Sequence, residues 1–397
     1  MLVYTSITKS YLPKARVLAK SVKDFHPDWK FVLLYSDDLP DGFDLSLEPF
    51  DEILTIEELG IPNWKAWAFG HTVVELCTAV KGPAAELLAQ RQGINKIMYI
   101  DPDIKLFNSL NFLEIMLDEH EILLTPHLLD IEQDINAIQD NEISALKHGV
   151  YNLGFFAART SGQGLDFIRW WAKRLQLFCR DDIPSGLFTD QRWCDLAPAF
   201  FSGLAIVRDR GCNVATWNIA HRHLSKNEEG VFLVSGVPLR FYHFTSYDNG
   251  NGMGMLMKYA SEQTFAHELW NSYGKDLLAE GQGEERYKSW FYGQFENGES
   301  IPRESRRIYQ IRRDLQLAFP NPYSVTEPSY LSWWKAESAQ KKLTASNISG
   351  IKERTVLKRV IEGLCSPRVG ISFLEKAIQI MRHEGLFGLI KRIRNYS

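Results

Sequence analysis

Apolar and polar positions at the start of the chain fall into blocks that read as strand, helix, strand. Leu2 to Ser6 has the length and apolar content of a strand, and Leu12, Ala15, Leu18, Ala19, Val22 and Phe25 then recur at helical spacing. Pro13 suits the first turn of that helix, where its missing N–H leaves nothing unpaired. Phe31-Val32-Leu33-Leu34-Tyr35 is a second apolar run, stopped by Ser36-Asp37-Asp38. Apolar at consecutive positions, it reads as a strand buried on both faces, so the segment predicts a parallel βαβ start.

The same patterns predict an aromatic-rich helix from Trp64 to about Val80, another from Gly82 to Gln92, and a strand over Lys96 to Ile100. Later strands are expected over Tyr151 to Ala158 and within Val231 to Tyr247, with a helix near Leu165 to Arg180 between them. After Asp248, Asn249-Gly250-Asn251-Gly252-Met253-Gly254 reads as a glycine-rich loop. Charged helical segments follow, including a basic amphipathic helix from Arg303 to Leu317. The expected fold is therefore α/β, with a Rossmann-like mixed central sheet flanked by helices over residues 1–250. A mostly helical extension is expected over 251–345 and a basic amphipathic tail over 346–397.

Composition narrows the class. With 45% apolar and 24% charged residues, the 397-residue chain is neither disordered, collagen-like nor a disulfide scaffold. Five cysteines, an odd count without C-x-x-C spacing, fit reduced thiols in a cytoplasm and argue against zinc. Neither a secretory signal nor a run of about 20 apolar residues is visible. The net charge of -4 gives no support for nucleic-acid binding. Residues 351–397, however, hold ten lysines and arginines against four glutamates. Such a tail suits peripheral contact with the inner face of a membrane, and equally a solvated terminal helix. A cytoplasmic location is expected.

Four short elements carry candidate chemistry. Asp101-Pro102-Asp103 ends an apolar strand in two carboxylates spaced two apart. Side chains so spaced on an extended chain face one side, hard cations prefer oxygen ligands, and ligands bind at the carboxyl ends of such strands. Asn152 and Gly154 interrupt the apolar run Tyr151 to Phe156; glycine there admits close approach, or marks a bulge. Thr189-Asp190-Gln191 opens a helix, with Thr189 as N-cap in the plain reading and Asp190 and Gln191 aimed at a sugar in the functional one. His243 lies on a strand between aromatics, either as a core residue or as a third metal ligand.

Taken in order, these elements resemble the GT-A glycosyltransferases, and most closely glycosyltransferase family 8. The resemblance covers about residues 1 to 250 and implies a GT-A fold and a metal-dependent transfer from a UDP-sugar. It implies manganese or magnesium held by Asp101, Asp103 and His243, with Thr5 and Ser6 at the nucleotide and Asp103 near the ribose and diphosphate. Asn152, Asp190 and Gln191 would meet the transferred sugar, and Gly154 would lie against the donor. Lys81 would be a basic donor contact, against a plain reading as a solvated lysine. This chain departs from the family where a glycine and a Lys-Pro-Trp clamp usually follow the histidine; Lys258, or backbone N–H groups of the glycine-rich loop acting as a lid, would substitute. Trp217 and Asn218 are candidate sugar contacts, His221 and Arg222 contacts to an anionic acceptor, and Trp64, Trp67 and Phe69 an acceptor groove or plain core. The acceptor is expected to be a saccharide or lipid-linked saccharide of bacterial surface polysaccharide. The alternatives are a catalytically silent nucleotide- or sugar-binding protein and a phosphohydrolase with an Asp-x-Asp motif.

Overall fold

The computed structural model describes residues 1–284 and 289–339. Its main sheet has seven strands. β1 (Leu2–Ile7), β2 (Lys30–Tyr35), β3 (Glu52–Thr55), β4 (Lys96–Ile100), β6 (Ile122–Pro126), β7 (Tyr151–Arg159) and β8 (Leu204–Ile206) lie in the order β8-β6-β7-β4-β1-β2-β3. Neighbours are parallel except at β7, which runs antiparallel to both β4 and β6. β5 (Ile104–Leu106) and β9 (Phe241–His243) form a separate antiparallel pair.

The consecutive apolar runs are explained by two apolar faces. Leu2, Tyr4, Val32, Leu34, Ile97, Tyr99, Phe156 and Ala158 enter one core cluster, and Val3, Phe31, Leu33, Tyr35, Met98, Ile100, Phe155 and Ala157 enter the other. Successive side chains on a strand point to opposite faces, so helices must cover both. α1 (Leu12–Phe25) does so with Leu12, Ala15, Leu18, Ala19 and Val22 of the expected stripe, all buried, and with Pro13 in its first turn, while Phe25, the last of that stripe, is exposed. α2 (Lys81–Ala89) packs on α3 (Gly162–Phe178) so closely that a Cβ on Gly82 would lie 2.6 Å from the Ala172 Cα. That approach holds the first residue of α2, Lys81, at the sheet's carboxyl edge.

Three predicted elements change. The helix expected from Trp64 to Val80 is two, Trp64–Phe69 and Val73–Ala79, because Thr72 and Glu75 form a capping box that starts a new helix. The helix expected from Arg303 to Leu317 breaks at Arg312, whose backbone is extended. The glycine-rich segment is no loop: Gly250, in the left-handed region (φ 76°), precedes α4 (Asn251–Ala260). A Cβ on Gly252 would meet Trp270 and the Thr245 carbonyl at 2.6 Å, so the segment is packed rather than poised as a free lid.

Helices continue beyond the sheet with α5 (Thr264–Ala279) and α6 (Arg303–Ile311). Met1–Val325 forms one compact unit, and a second begins at Thr326, in which 330–339 is helical. Among the described residues no helix is long and apolar enough to cross a membrane. The expected tail over 346–397 lies outside the described residues.

Candidate active site

Asp101 and Asp103 converge, though not by strand alternation. β4 ends at Ile100, and Asp101-Pro102-Asp103 is a turn closed by the Ile104 N–H on the Asp101 carbonyl at 3.1 Å. The turn delivers the chain into β5, which pairs with β9 in the register Ile104↔His243. That pairing sets His243 against both acids: its Nε2 is 3.0 Å from Asp103 and 3.9 Å from Asp101. One ligand atom from each of the three residues falls within 4.8 Å of the others.

The cluster is held from outside. The Asp101 N–H donates to the Gly154 carbonyl at 2.7 Å, and its carboxylate accepts from the Tyr99 hydroxyl at 2.6 Å and from Lys81 at 3.1 Å. Burial alone would raise the Asp103 pKa, but His243 and then Lys14 outweigh it and bring it down to about 2. Burial alone would lower that of His243, but Asp103 and Asp101 outweigh it and the net shift is upward. Gly154 is the close approach expected of it: a Cβ there would lie 2.6 Å from the His243 ring, 2.8 Å from Asn152 Oδ1 and 2.9 Å from Asp101.

Lys81 is not a solvated lysine. Its side chain is 4% exposed and bridges Asp101 at 3.1 Å and Asp190 at 2.9 Å. Burial works against its charge, and the two carboxylates overcome that to raise its pKa. Asp190 is raised by burial, with Lys81 opposing. Thr189 does not serve as the N-cap. Its backbone is left-handed (φ 42°), and the short helix Gln191–Cys194 begins after Asp190, whose carboxylate turns inward to Lys81. Gln191 donates to the His148 carbonyl at 2.9 Å.

These groups share a cleft of about 740 Å³, lined also by Ser6, Tyr11, His127, Asn152, Gly154 and Trp217, and by Asn251 and Gly252 from the first turn of α4. Its size is that of a ligand pocket. Thr5 and Ser6, at the end of β1, are buried, and neither hydroxyl has a hydrogen-bond partner; Ser6 lines the cleft and Thr5 lies behind it. Lys258 stands outside the lining, exposed and paired with Asp140 at 2.6 Å. Asn218 is buried, donating to the His127 and Asn213 carbonyls, and Arg222 is buried on the Arg210 and Cys212 carbonyls. His221 faces Glu132 at 2.8 Å. Trp64, Trp67 and Phe69 pack into the core and not the cleft.

Sequence reading missed His127, Tyr99 and Tyr11. His127 follows the end of β6, and the rule that ligands gather at strand carboxyl ends was the signal that would have found it. Tyr99 carries no such signal, because it sits inside an apolar strand. Tyr11 stands at the cleft rim, 37% exposed.

No protein-family model matches the chain. It is 30% identical over 115 residues to the uncharacterized protein YfnF of Bacillus subtilis (strain 168), which is 28% of this chain and 38% of YfnF. It is 29% identical over 101 residues to the uncharacterized protein YfnD of the same strain, 25% of this chain and 32% of YfnD. The matched segments thus span well under two thirds of either relative. Among solved structures it is similar to the galactosyltransferase LgtC in complex with donor and acceptor sugar analogues (TM-score 0.36, 15% identity, 66% of this chain and 96% of that one). It is similar also to mouse xyloside xylosyltransferase 1 (TM-score 0.36, 14% identity, 62% and 97%). The glycosyltransferase GlyE of Streptococcus pneumoniae TIGR4 gives a TM-score of 0.34 at 16% identity, over 53% and 45%.

Proposed function

We propose that the chain is a metal-dependent glycosyltransferase that moves a sugar from a UDP-sugar to a saccharide or lipid-linked acceptor, with retention, in bacterial surface polysaccharide assembly. The observation that carries this reading is the convergence of Asp101, Asp103 and His243 at the carboxyl end of β4, inside a cleft of ligand size. Two carboxylate oxygens and an imidazole nitrogen suit manganese or magnesium. A divalent ion held there would supply Lewis-acid stabilisation of the departing diphosphate.

The chain's own residues have separable tasks. Lys81 bridges Asp101 and Asp190 and holds both carboxylates in place from beneath the cleft. The partnerless Ser6 hydroxyl and the Tyr11 ring suit the nucleotide: one can hydrogen-bond to it, and the other offers a face on which a base stacks. Asn251 and Gly252 of the first turn of α4 line the same cleft, with their N–H groups already bonded to Asn249 Oδ1 and the Ser246 carbonyl. Gln191 and Asp190 line the part of the cleft next to Lys81 and are assigned to the transferred sugar.

Retention is supported by the state of the carboxylates. Among the described residues, the four that line the cleft are all engaged: Asp101 with Lys81, Asp103 with His243, Asp190 with Lys81, and Asp140 with Lys258 and Tyr259. An inverting transfer needs a general base opposite the leaving group. Calorimetric titration of UDP into the full chain, with and without manganese, tests the reading. Binding that requires the metal and is lost in Asp103→Ala is expected; binding of neither UDP nor manganese would overturn it.

A further inference from the structure

His127, the residue after β6, has a partner on each ring nitrogen. Nδ1 lies 3.3 Å from the Val150 carbonyl oxygen and Nε2 lies 3.2 Å from the Asn152 amide nitrogen. On the other side of Asn152, Oδ1 is 3.2 Å from Nδ1 of His243. These contacts fix every proton in the chain of bonds. A carbonyl oxygen only accepts, so the single proton of a neutral His127 sits on Nδ1, and its Nε2 is an acceptor. Burial keeps that ring neutral, pushing its pKa down to about 4. The Asn152 NH2 group must then face His127, which turns the Asn152 oxygen to His243. That oxygen also only accepts, so Nδ1 of His243 carries a proton. Nε2 of His243 faces the Asp103 carboxylate at 3.0 Å, to which it donates in the metal-free chain, and it is the nitrogen from which a cation would displace the proton.

We propose that His127 and Asn152 are positioning residues that hold the Nδ1 proton of His243 in place, so that Nε2 is the nitrogen that ligates a divalent cation. Asn152 then acts on the metal ligand and not on the sugar. The inference rests on the metal-site reading above. Partners of metal-bound imidazoles commonly set ligand orientation and basicity in this way. The far end of the relay is itself braced: Trp217 and Asn218 both donate to the His127 carbonyl, at 3.1 and 3.0 Å. The Trp217 ring stands edge-on to both imidazoles, with centroids 5.4 Å from His127 and 5.2 Å from His243. Gly154 leaves the space in which Asn152 and His243 meet.

Histidine-selective 15N NMR of the full chain, with and without magnesium, reads the tautomers directly. The expected spectrum has His127 protonated on Nδ1 only and His243 protonated on Nδ1, with the His243 Nε2 signal moving when magnesium is added. Calorimetric titration of manganese into the wild type, His127→Phe and His127→Gln supplies the second readout. Phe should weaken binding by about 10- to 100-fold, and Gln, whose amide oxygen can accept from Asn152, should recover part of the loss. A His127 protonated on Nε2, or a Phe variant that binds manganese as tightly as the wild type, would overturn the relay. If the Phe variant does not fold, the wild-type spectrum decides alone. If the wild type binds no manganese at all, the metal-site reading fails, and the metal-free spectrum still decides the order of the bonds.

Discussion

The ammonium of Lys81 lies 2.9 Å from the Asp190 carboxylate, with each side chain only 4% exposed. Removing one partner of such a pair leaves a buried charge uncompensated, which costs about 3–5 kcal/mol. Lys81→Met should therefore lose about that much stability in urea unfolding. The double variant Lys81→Met/Asp190→Leu should lose less than the two single variants added together, because the orphaned charge is gone. Strict additivity would mean that the pair is not coupled.

Gly154→Ala separates the site from the fold. The added methyl group would press on the His243 ring, Asn152 and Asp101 at once, all of them side chains of the cluster rather than the strand backbone. Manganese affinity should fall by about tenfold or more, while the melting temperature of the metal-free protein changes little. Calorimetry and a thermal melt on the same sample check both halves.

Stability at mild acid is set by buried groups that titrate in opposite senses. Burial pushes His71 and His127 each down to about 4, below the value of about 6.5 in an unfolded chain. Between those values the unfolded chain binds more protons, so each histidine withdraws about 1.4 kcal/mol of stability per pH unit as pH falls from 6.5 towards 4. Asp37, which burial lifts to about 7, binds its proton first in the folded state and offsets roughly one of them. Urea unfolding at pH 7, 6 and 5, compared between the wild type and single variants, reads each contribution as a change in the pH slope. Relative to the wild type, His71→Gln should lose less stability on acidification and Asp37→Asn should lose more.

Much of the frame was legible because strand-length apolar runs and a 3.6-residue stripe are local signals: β1, α1, β2, β4 and β7 all lie where the pattern put them. The Asp101, Asp103 and His243 cluster was legible as three candidate residues but not in its geometry. Asp101 and Asp103 meet through a turn, and His243 reaches them only because β9 pairs with β5, a contact between residues about 140 apart in the chain. Lys81 was the least legible. Nothing in Val80-Lys81-Gly82 separates a buried lysine from a solvated one, and what buries it is Gly82 against Ala172 together with two acids from distant segments. The glycine-rich segment failed for a related reason, since three glycines in six residues argue for a loop locally and the fit of Gly252 against Trp270 makes it helical.

The central claim is that Asp101 and Asp103 hold a metal that activates a UDP-sugar. It is tested most directly by UDP release from a panel of UDP-sugars, with and without manganese, by the wild type, Asp101→Ala and Asp103→Ala. Manganese-dependent release by the wild type from at least one donor, reduced by 10²-fold or more in both variants as expected when a stabiliser of the leaving group is lost, is the predicted result. Release that is indifferent to manganese, or that survives in both variants, would contradict it.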